Sequence, residues 1–224
     1  MLDFNIPVIA AHVALGSFAV TMGAVALAVR KGAATHMRVG HMFVWSMGLS
    51  SLLGAVLGLA KLDTLFITFH AGILGATLVA SGVLAARIRL PDVRRWFAVV
   101  ALVNAINAAG LLAAGLYATT QPDGVLFDFP AGDYLFLFIM AAVALISDLA
   151  LMLREHITDK HRIAQHLWRM CVGFFIAAGS AFTGPGASAF PVTVQNSGIL
   201  SLPELTIMLV MLFWLFKTLR RRAI

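Results

Sequence analysis

Seven blocks of apolar residues, each about as long as a membrane-crossing helix, dominate this sequence of 224 residues. A helix rises about 1.5 Å per residue, so about 20 apolar residues span the ~30 Å hydrocarbon core of a bilayer. Hydrophobic residues make up 61% of the chain and charged residues 12%, whereas a soluble domain has about a quarter of its residues charged. We therefore predict an all-α membrane protein, a bundle of seven transmembrane helices in a single domain over residues 1–224. The predicted helices cover residues 6–29, 39–60, 64–86, 95–118, 133–153, 163–183 and 203–219.

The basic residues are distributed unevenly over the predicted loops. Cytoplasmic loops of membrane proteins carry an excess of Lys and Arg. Fifteen of the sixteen basic residues lie in or beside the first, third and fifth loops or at the C-terminus, and only Lys61 lies on the other side. This distribution predicts cytoplasmic odd-numbered loops, an N-terminus outside and a cytoplasmic C-terminus.

The same distribution of charge limits the binding partners that we expect. The net charge of +6 resides in short loops rather than in a separate basic domain, so we do not expect nucleic-acid binding. The lipid bilayer is the expected partner, and the expected location is a multi-pass position in a bacterial-type inner membrane. A redox partner or a respiratory complex would be a further partner if the protein transfers electrons. The sequence does not decide whether the protein forms an oligomer.

Two histidines lie at a similar depth from the predicted outer surface. His12 and His70 each lie about six residues into their helices, which places them ~9 Å below the outer boundary. Ionisable groups in hydrocarbon are costly and are therefore functional candidates. We expect the two side chains to face each other across the first and third helices and to share a ligand, a water molecule or a metal.

A second group of polar side chains is expected near the cytoplasmic side. His36 and His41 stand at the entry to the second predicted helix, and His166 lies near the start of the sixth. Arg169 follows one turn after His166, and Asp148 lies near the end of the fifth helix. An Arg169–Asp148 ion pair is one expectation, because an unpaired Arg in hydrocarbon costs at least ~2.5 kcal/mol. The other is a cofactor site in which Arg169 meets carboxylates of the cofactor as a bidentate donor.

Two layers of histidine favour a redox cofactor. Neutral imidazoles from two helices can supply both axial ligands of a haem, so we predict a b-type haem protein that transfers electrons. The candidate cofactor-binding residues are His12, His70, His36, His41, His166 and Arg169. A transporter or a respiratory-complex assembly factor without haem is the first alternative. A metal-dependent membrane enzyme, with His12, His70 and Asp148 as ligands, is the second.

Other polar residues have simpler interpretations. Asn104 and Asn107 share one face of the fourth predicted helix and are expected to hydrogen-bond across helices. Small residues such as Gly72 and Gly75 predict close helix contacts. Glu204, at the start of the last helix, suits the helix dipole.

Two short segments resemble elements of a known family. His36-Met-Arg-Val-Gly-His41-Met-Phe43 resembles the His-Arg-x-x-Gly-Arg-x-Tyr element of an uncharacterised family of bacterial multi-spanning membrane proteins. His166-Leu-Trp-Arg-Met170 resembles that family's His-x-Trp-Met element, although Arg169 interrupts the Trp-Met pair. His41 stands where the family has its second Arg, so the resemblance implies His36 rather than His41 as the shared candidate. It implies a fold and assigns no reaction.

The topology can be tested with reporter fusions. A reporter that is active only in the cytoplasm should be active at the C-terminus and inactive after Gln121, because the basic residues are segregated to one side. Activity on the same side at both fusion points would contradict seven crossings.

Overall fold

A computed structural model describes residues 5–88 and 93–220. Its long helices are α1 (Asn5–Ala28), α2 (Ala34–Ala60), α3 (Phe66–Ala86), α4 (Val93–Thr119), α5 (Ala131–Leu153), α6 (Asp159–Phe182) and α8 (Leu202–Arg220). A two-residue hairpin joins α4 to α5, with β1 (Val125–Leu126) antiparallel to β2 (Phe129–Pro130). The segment between α6 and α8 contains the short helix α7 (Val192–Gln195) and two 3₁₀ turns (Pro185–Ala189 and Ile199–Ser201).

The apolar helices indicate an integral, multi-pass membrane protein. Six of the described helices, all the long ones except α6, are long and apolar enough to cross a membrane. Large apolar side chains such as Trp45, Leu102, Ile106 and Leu212 are at least half exposed on outward faces, which is costly in water and favourable in lipid. The α6 helix falls outside this group because its first half carries charged and polar residues.

Helices α3 and α6 form the centre of the bundle. Helix α3 packs against α2, α4 and α6, while α6 also contacts α1 and α8. Helices α1 and α2 pack together on one side, and α4 and α5 pack together on the other. Arg169, in the first half of α6, is thereby buried with 0% exposure, whereas Asp159 and Arg162 nearer the start of the helix remain partly exposed.

The helix boundaries agree with the sequence to within a few residues, with two larger shifts. Helix α2 begins at Ala34, five residues before the expected start, and α6 begins at Asp159, four residues before it. Sequence hydropathy misses these turns because they are polar. Thr158 is the N-cap at which α6 begins, and its side chain accepts a hydrogen bond from the His161 backbone N–H. His36 consequently lies in the first turn of α2.

Glycines set the contact between α2 and α3. A Cβ atom at Gly72 would lie 2.6 Å from the Ala55 nitrogen and from the Ser51 oxygen, and one at Gly75 would lie 2.7 Å from Ser51 Oγ. Only a residue without a side chain permits this approach, so the expected role of Gly72 and Gly75 in close packing is confirmed. Gly58 meets the backbone of Phe69 in the same way.

The packing predicts the effect of a methyl group at this contact. Gly72→Ala should lower the free energy of unfolding by about 1–3 kcal/mol, because the added atom meets backbone that cannot move aside cheaply. The matched control is Gly48→Ala in α2, since a Cβ there meets nothing within 4 Å. Both can be compared by thermal unfolding in detergent, and equal melting temperatures would contradict the close contact.

Candidate functional site

His12 joins α1 to α2 by a reciprocal set of hydrogen bonds. Its Nδ1 donates to the Ser50 carbonyl oxygen at 2.8 Å, and the Ser50 hydroxyl donates to the His12 carbonyl oxygen at 3.0 Å. The ring lies over Gly54, where a Cβ atom would be 3.0 Å from His12 Cε1. His12 is therefore held in the contact between α1 and α2.

His70 joins α3 to α4 in a comparable way. Its Nδ1 lies 2.7 Å from Asn107 Oδ1, and Asn107 Nδ2 donates to the His70 carbonyl oxygen at 3.2 Å. The ring packs against Gly110, where a Cβ atom would approach His70 Cε1 to 2.5 Å. Asn104, one turn from Asn107, donates to the Ala141 carbonyl oxygen of α5. Both asparagines thus bond across helices, as expected.

His12 and His70, which the sequence analysis expected to face each other, each bond to a different neighbouring helix. One ring occupies the α1–α2 contact and the other the α3–α4 contact, because each is drawn to a polar partner on its neighbouring helix. Asp148, the third proposed metal ligand, lies toward the opposite end of the bundle. Over residues 5–88 and 93–220, no group of three or more His, Cys, Asp or Glu side chains is placed to hold a metal ion. The expected metal set is not assembled there.

Two other histidines, His36 and His166, lie at the end of the bundle that carries the basic loops. His36 Nδ1 donates to the Ala26 carbonyl oxygen of α1 at 3.2 Å, and His166 Nδ1 donates to the Gly82 carbonyl oxygen of α3 at 3.0 Å. His166 lies within electrostatic range of His36. We call His36 and His166 the inner histidine pair. His41, the third candidate at this end, is exposed on the surface of α2.

The hydrogen bonds fix the tautomer of the inner histidine pair. A carbonyl oxygen can only accept, so the Nδ1 that contacts it must carry the hydrogen. In a neutral ring the Nε2 then has a free lone pair, which is the atom that binds a metal or accepts a proton. The same inference applies to His12 and to His70. In each case a hydrogen bond at Nδ1 orients the ring, as second-shell partners do for metal-bound histidines.

A cationic group, Lys31, lies beside His36 of the inner histidine pair. Lys31, in the loop after α1, donates to the carbonyl oxygens of Ala26 at 3.0 Å and Leu27 at 2.6 Å. Its Nζ also lies 5.3 Å from the centre of the Trp214 ring. Burial lowers the pKa of Lys31 from its ordinary value. The carbonyl of Ala26 thus accepts from both Lys31 and His36.

Arg169 and Asp148 form a fully buried ion pair between α6 and α5. The Nη2–Oδ1 distance is 2.6 Å, and the two side chains are 0% and 1% exposed. Arg169 Nη2 also donates to Ser147 Oγ at 3.1 Å, and Nη1 donates to the side-chain oxygen of Gln165. Gln165 Oε1 accepts from Ser147 and from Trp168 as well. The ion-pair expectation is confirmed, which leaves Arg169 committed to Asp148.

Sequence inspection missed the acceptors that hold the histidines. The partners of His12, His36 and His166 are backbone carbonyls of Ser50, Ala26 and Gly82, and every residue has such a group. No residue-type signal identifies them. Gly54 and Gly110, against which the His12 and His70 rings pack, were a weak sequence signal for these contacts, since small residues mark close approach between helices.

No protein-family model matches the chain, and neither a curated protein nor a solved structure was found to be similar to it. The resemblance of the His36–Phe43 and His166–Met170 segments stays a prediction. The functional argument therefore rests on the residues and their geometry.

The buried ion pair predicts that single variants lose more free energy of unfolding than a double variant that removes both charges. Asp148→Asn or Arg169→Gln should lower the free energy of unfolding by about 3–5 kcal/mol, because each leaves an uncompensated buried group. The double variant Asp148→Leu with Arg169→Met should recover much of this loss. The control is Asp159→Asn at the exposed pair with Arg162, which should cost at most about 1 kcal/mol. Additive losses in the double variant, measured by unfolding in detergent, would count against the pairing.

Proposed function

We propose that the protein is a membrane electron carrier that binds one b-type haem between the inner histidine pair. The observation that carries the proposal is the common orientation of His36 and His166. Each donates Nδ1–H to a backbone carbonyl of another helix, and each thereby keeps Nε2 available as a ligand. A haem would supply a one-electron redox centre at this position.

Haem suits the ligands better than a bare metal ion does. Structural and catalytic zinc sites use three or four protein ligands, and no such group is assembled within the described residues. A haem iron already has four porphyrin nitrogens and needs only two axial ligands from the protein. Two imidazoles on different helices meet that requirement.

The electrostatics of the inner end support an anionic cofactor. Arg162 lies within electrostatic range of His166, and Lys31 within that of His36. Haem carries two propionate groups, and basic side chains near its ligands would compensate them. Arg169 was the expected partner of these carboxylates, but it is fully buried against Asp148. Lys31 and Arg162 are better candidates, since Arg162 is accessible and its pair with Asp159 is partly exposed.

We also propose that α6 completes a seven-span bundle in a bacterial-type inner membrane. Its contacts with α1, α3 and α8 support this, as does Arg169, which is fully buried against Asp148 and so faces protein rather than lipid. The segregation of basic residues favours an N-terminus outside and a cytoplasmic C-terminus. In this orientation the inner histidine pair lies near the cytoplasm, where a redox partner or respiratory complex would exchange electrons with it.

Proton-coupled transport without haem is the second candidate, and the buried ion pair favours it. Within the described chain, three buried polar atoms have no hydrogen-bond partner, namely Asn104 Oδ1, Asp148 Oδ2 and Arg169 Nε. Unsatisfied polar atoms deep in a bundle are costly and are typical of ion and proton pathways. This function would require a titrating Asp148 and a colourless protein.

The haem proposal predicts a specific spectrum and its loss. The purified protein, expressed with haem supplied, should show b-type bands in a reduced-minus-oxidised difference spectrum. His36→Ala and His166→Ala should each reduce haem content at least about tenfold, because either change removes one axial ligand. His41→Ala is the matched control on the same helix, and it should retain haem because His41 is exposed.

Membrane insertion and monodispersity of each variant separate ligand loss from misfolding. A wild-type protein without haem bands, or haem retained in both ligand variants, would refute the proposal. In the first case, proton flux in vesicles that is abolished by Asp148→Asn would favour transport instead.

A further inference from the structure

A cleft of about 360 Å³ opens at the end of the bundle opposite the inner histidine pair. We call it the outer cleft. It lies between the starts of α3, α5 and α8 and the end of α6, and its volume is in the range of small-molecule sites. Its lining combines an apolar wall with two carboxylates, Asp133 and Glu204.

The carboxylate of Glu204 is held close to the end of α6. Thr183 Oγ1 donates to Glu204 Oε1 at 3.2 Å. A Cβ atom at Gly179 would lie 2.7 Å from the same oxygen, so glycine is what allows this approach. The C-terminus of α6 carries partial negative charge, whereas the N-terminus of α8, in whose first turn Glu204 lies, carries partial positive charge. The α8 N-terminus partly offsets the unfavourable contact with α6, and Glu204 stays available to a cationic ligand in the cleft.

No positive side chain compensates the outer cleft. Its lining residues include Asp133 and Glu204 and no Lys, Arg or His. Lys61 is the one basic residue of the described chain at this end, and it is not among the lining residues. Among the described residues, the side chains that line the outer cleft thus include carboxylates and no cationic group.

The apolar wall adds a preference for organic cations. Phe136 and Phe175 pack across α5 and α6 with ring centres 6.0 Å apart, and Phe129 lies on the same cleft. Aromatic faces attract cations, most strongly when the cation is poorly hydrated. Ile67 and Leu137 complete a surface suited to an apolar body.

We propose that the outer cleft binds a hydrophobic organic cation, with its positive charge beside Glu204 and Asp133 and its apolar body against the phenylalanine wall. The phosphate of a zwitterionic lipid would face two carboxylates and no cation. The charge pattern thus favours a free organic cation over a phosphatidylethanolamine headgroup. The proposal does not depend on haem, since none of its residues belongs to the inner histidine pair.

Binding can be measured with radiolabelled tetraphenylphosphonium and the full chain in a non-ionic detergent. Saturable binding is expected, and the neutral analogue triphenylphosphine oxide should bind at least about tenfold more weakly. Glu204→Gln should weaken binding about tenfold, because it removes the charge and preserves an acceptor for Thr183. Asp133→Asn should have a smaller effect because Asp133 is exposed to solvent.

Two matched controls separate the site from general effects. Asp63→Asn, which removes an acid at the same end but outside the cleft lining, should change affinity less than about twofold. Gly179→Ala should weaken binding by displacing Glu204, while Gly48→Ala, where a Cβ meets nothing within 4 Å, should not. Thermal unfolding of each variant checks that it is folded.

Three outcomes would overturn the proposal. They are absence of saturable binding to the wild-type protein, equal affinity in a folded Glu204→Gln variant, and equal affinity for the neutral analogue. Competition by added phosphatidylethanolamine would assign the cleft to a lipid headgroup and would also reject a free organic cation as its occupant.

Discussion

Hydrocarbon offers no hydrogen bonds, so each polar group within the bundle must find its partner in the protein. The Arg169–Asp148 pair meets this demand only in part, since both side chains are essentially inaccessible while Asp148 Oδ2 and Arg169 Nε have no hydrogen-bond partner. Its surroundings include Gln165, whose side-chain oxygen accepts from three donors on α5 and α6. The central position of α6 follows from the same requirement, because only a helix surrounded by others could supply partners for a guanidinium at this depth.

The histidines follow this rule in a way that leaves chemistry available. His12, His36, His70 and His166 each use one ring nitrogen to join two helices, which satisfies a polar group and fixes a tautomer. The other nitrogen is then directed by the packing of the bundle rather than by solvent. Helix association and ring orientation are therefore one interaction at His36 and His166, and the proposed ligand role would need no further residue to orient these rings.

Much of the fold was predictable because lipid imposes a simple sequence pattern. Hydropathy located every long helix, and the basic residues suggested an orientation. The polar first turns of α2 and α6 were missed, since hydropathy records lipid exposure rather than helix formation. The similar depth of Arg169 and Asp148 within their predicted helices also anticipated their ion pair, because few other polar groups lie at that depth.

Depth did not predict which neighbouring helices supply the hydrogen-bond partners of His12 and His70. Two residues at one level can point into different contacts. The decisive partners, Ser50 for one and Asn107 for the other, lie on α2 and α4 rather than on each other's helices. Backbone carbonyl acceptors, which carry no residue signature, made the remaining partners unpredictable.

The packing of the His12 ring against Gly54 and of the His70 ring against Gly110 has an evolutionary consequence. A Cβ atom would lie 3.0 Å from His12 Cε1 at Gly54 and 2.5 Å from His70 Cε1 at Gly110. Neither ring can retreat without breaking the hydrogen bond that holds it. In related chains, the histidine and the glycine against which its ring packs should be inherited as a pair, and a lineage that loses the imidazole is freed to place a larger residue opposite. Such paired changes would record, in descent, which helices are neighbours.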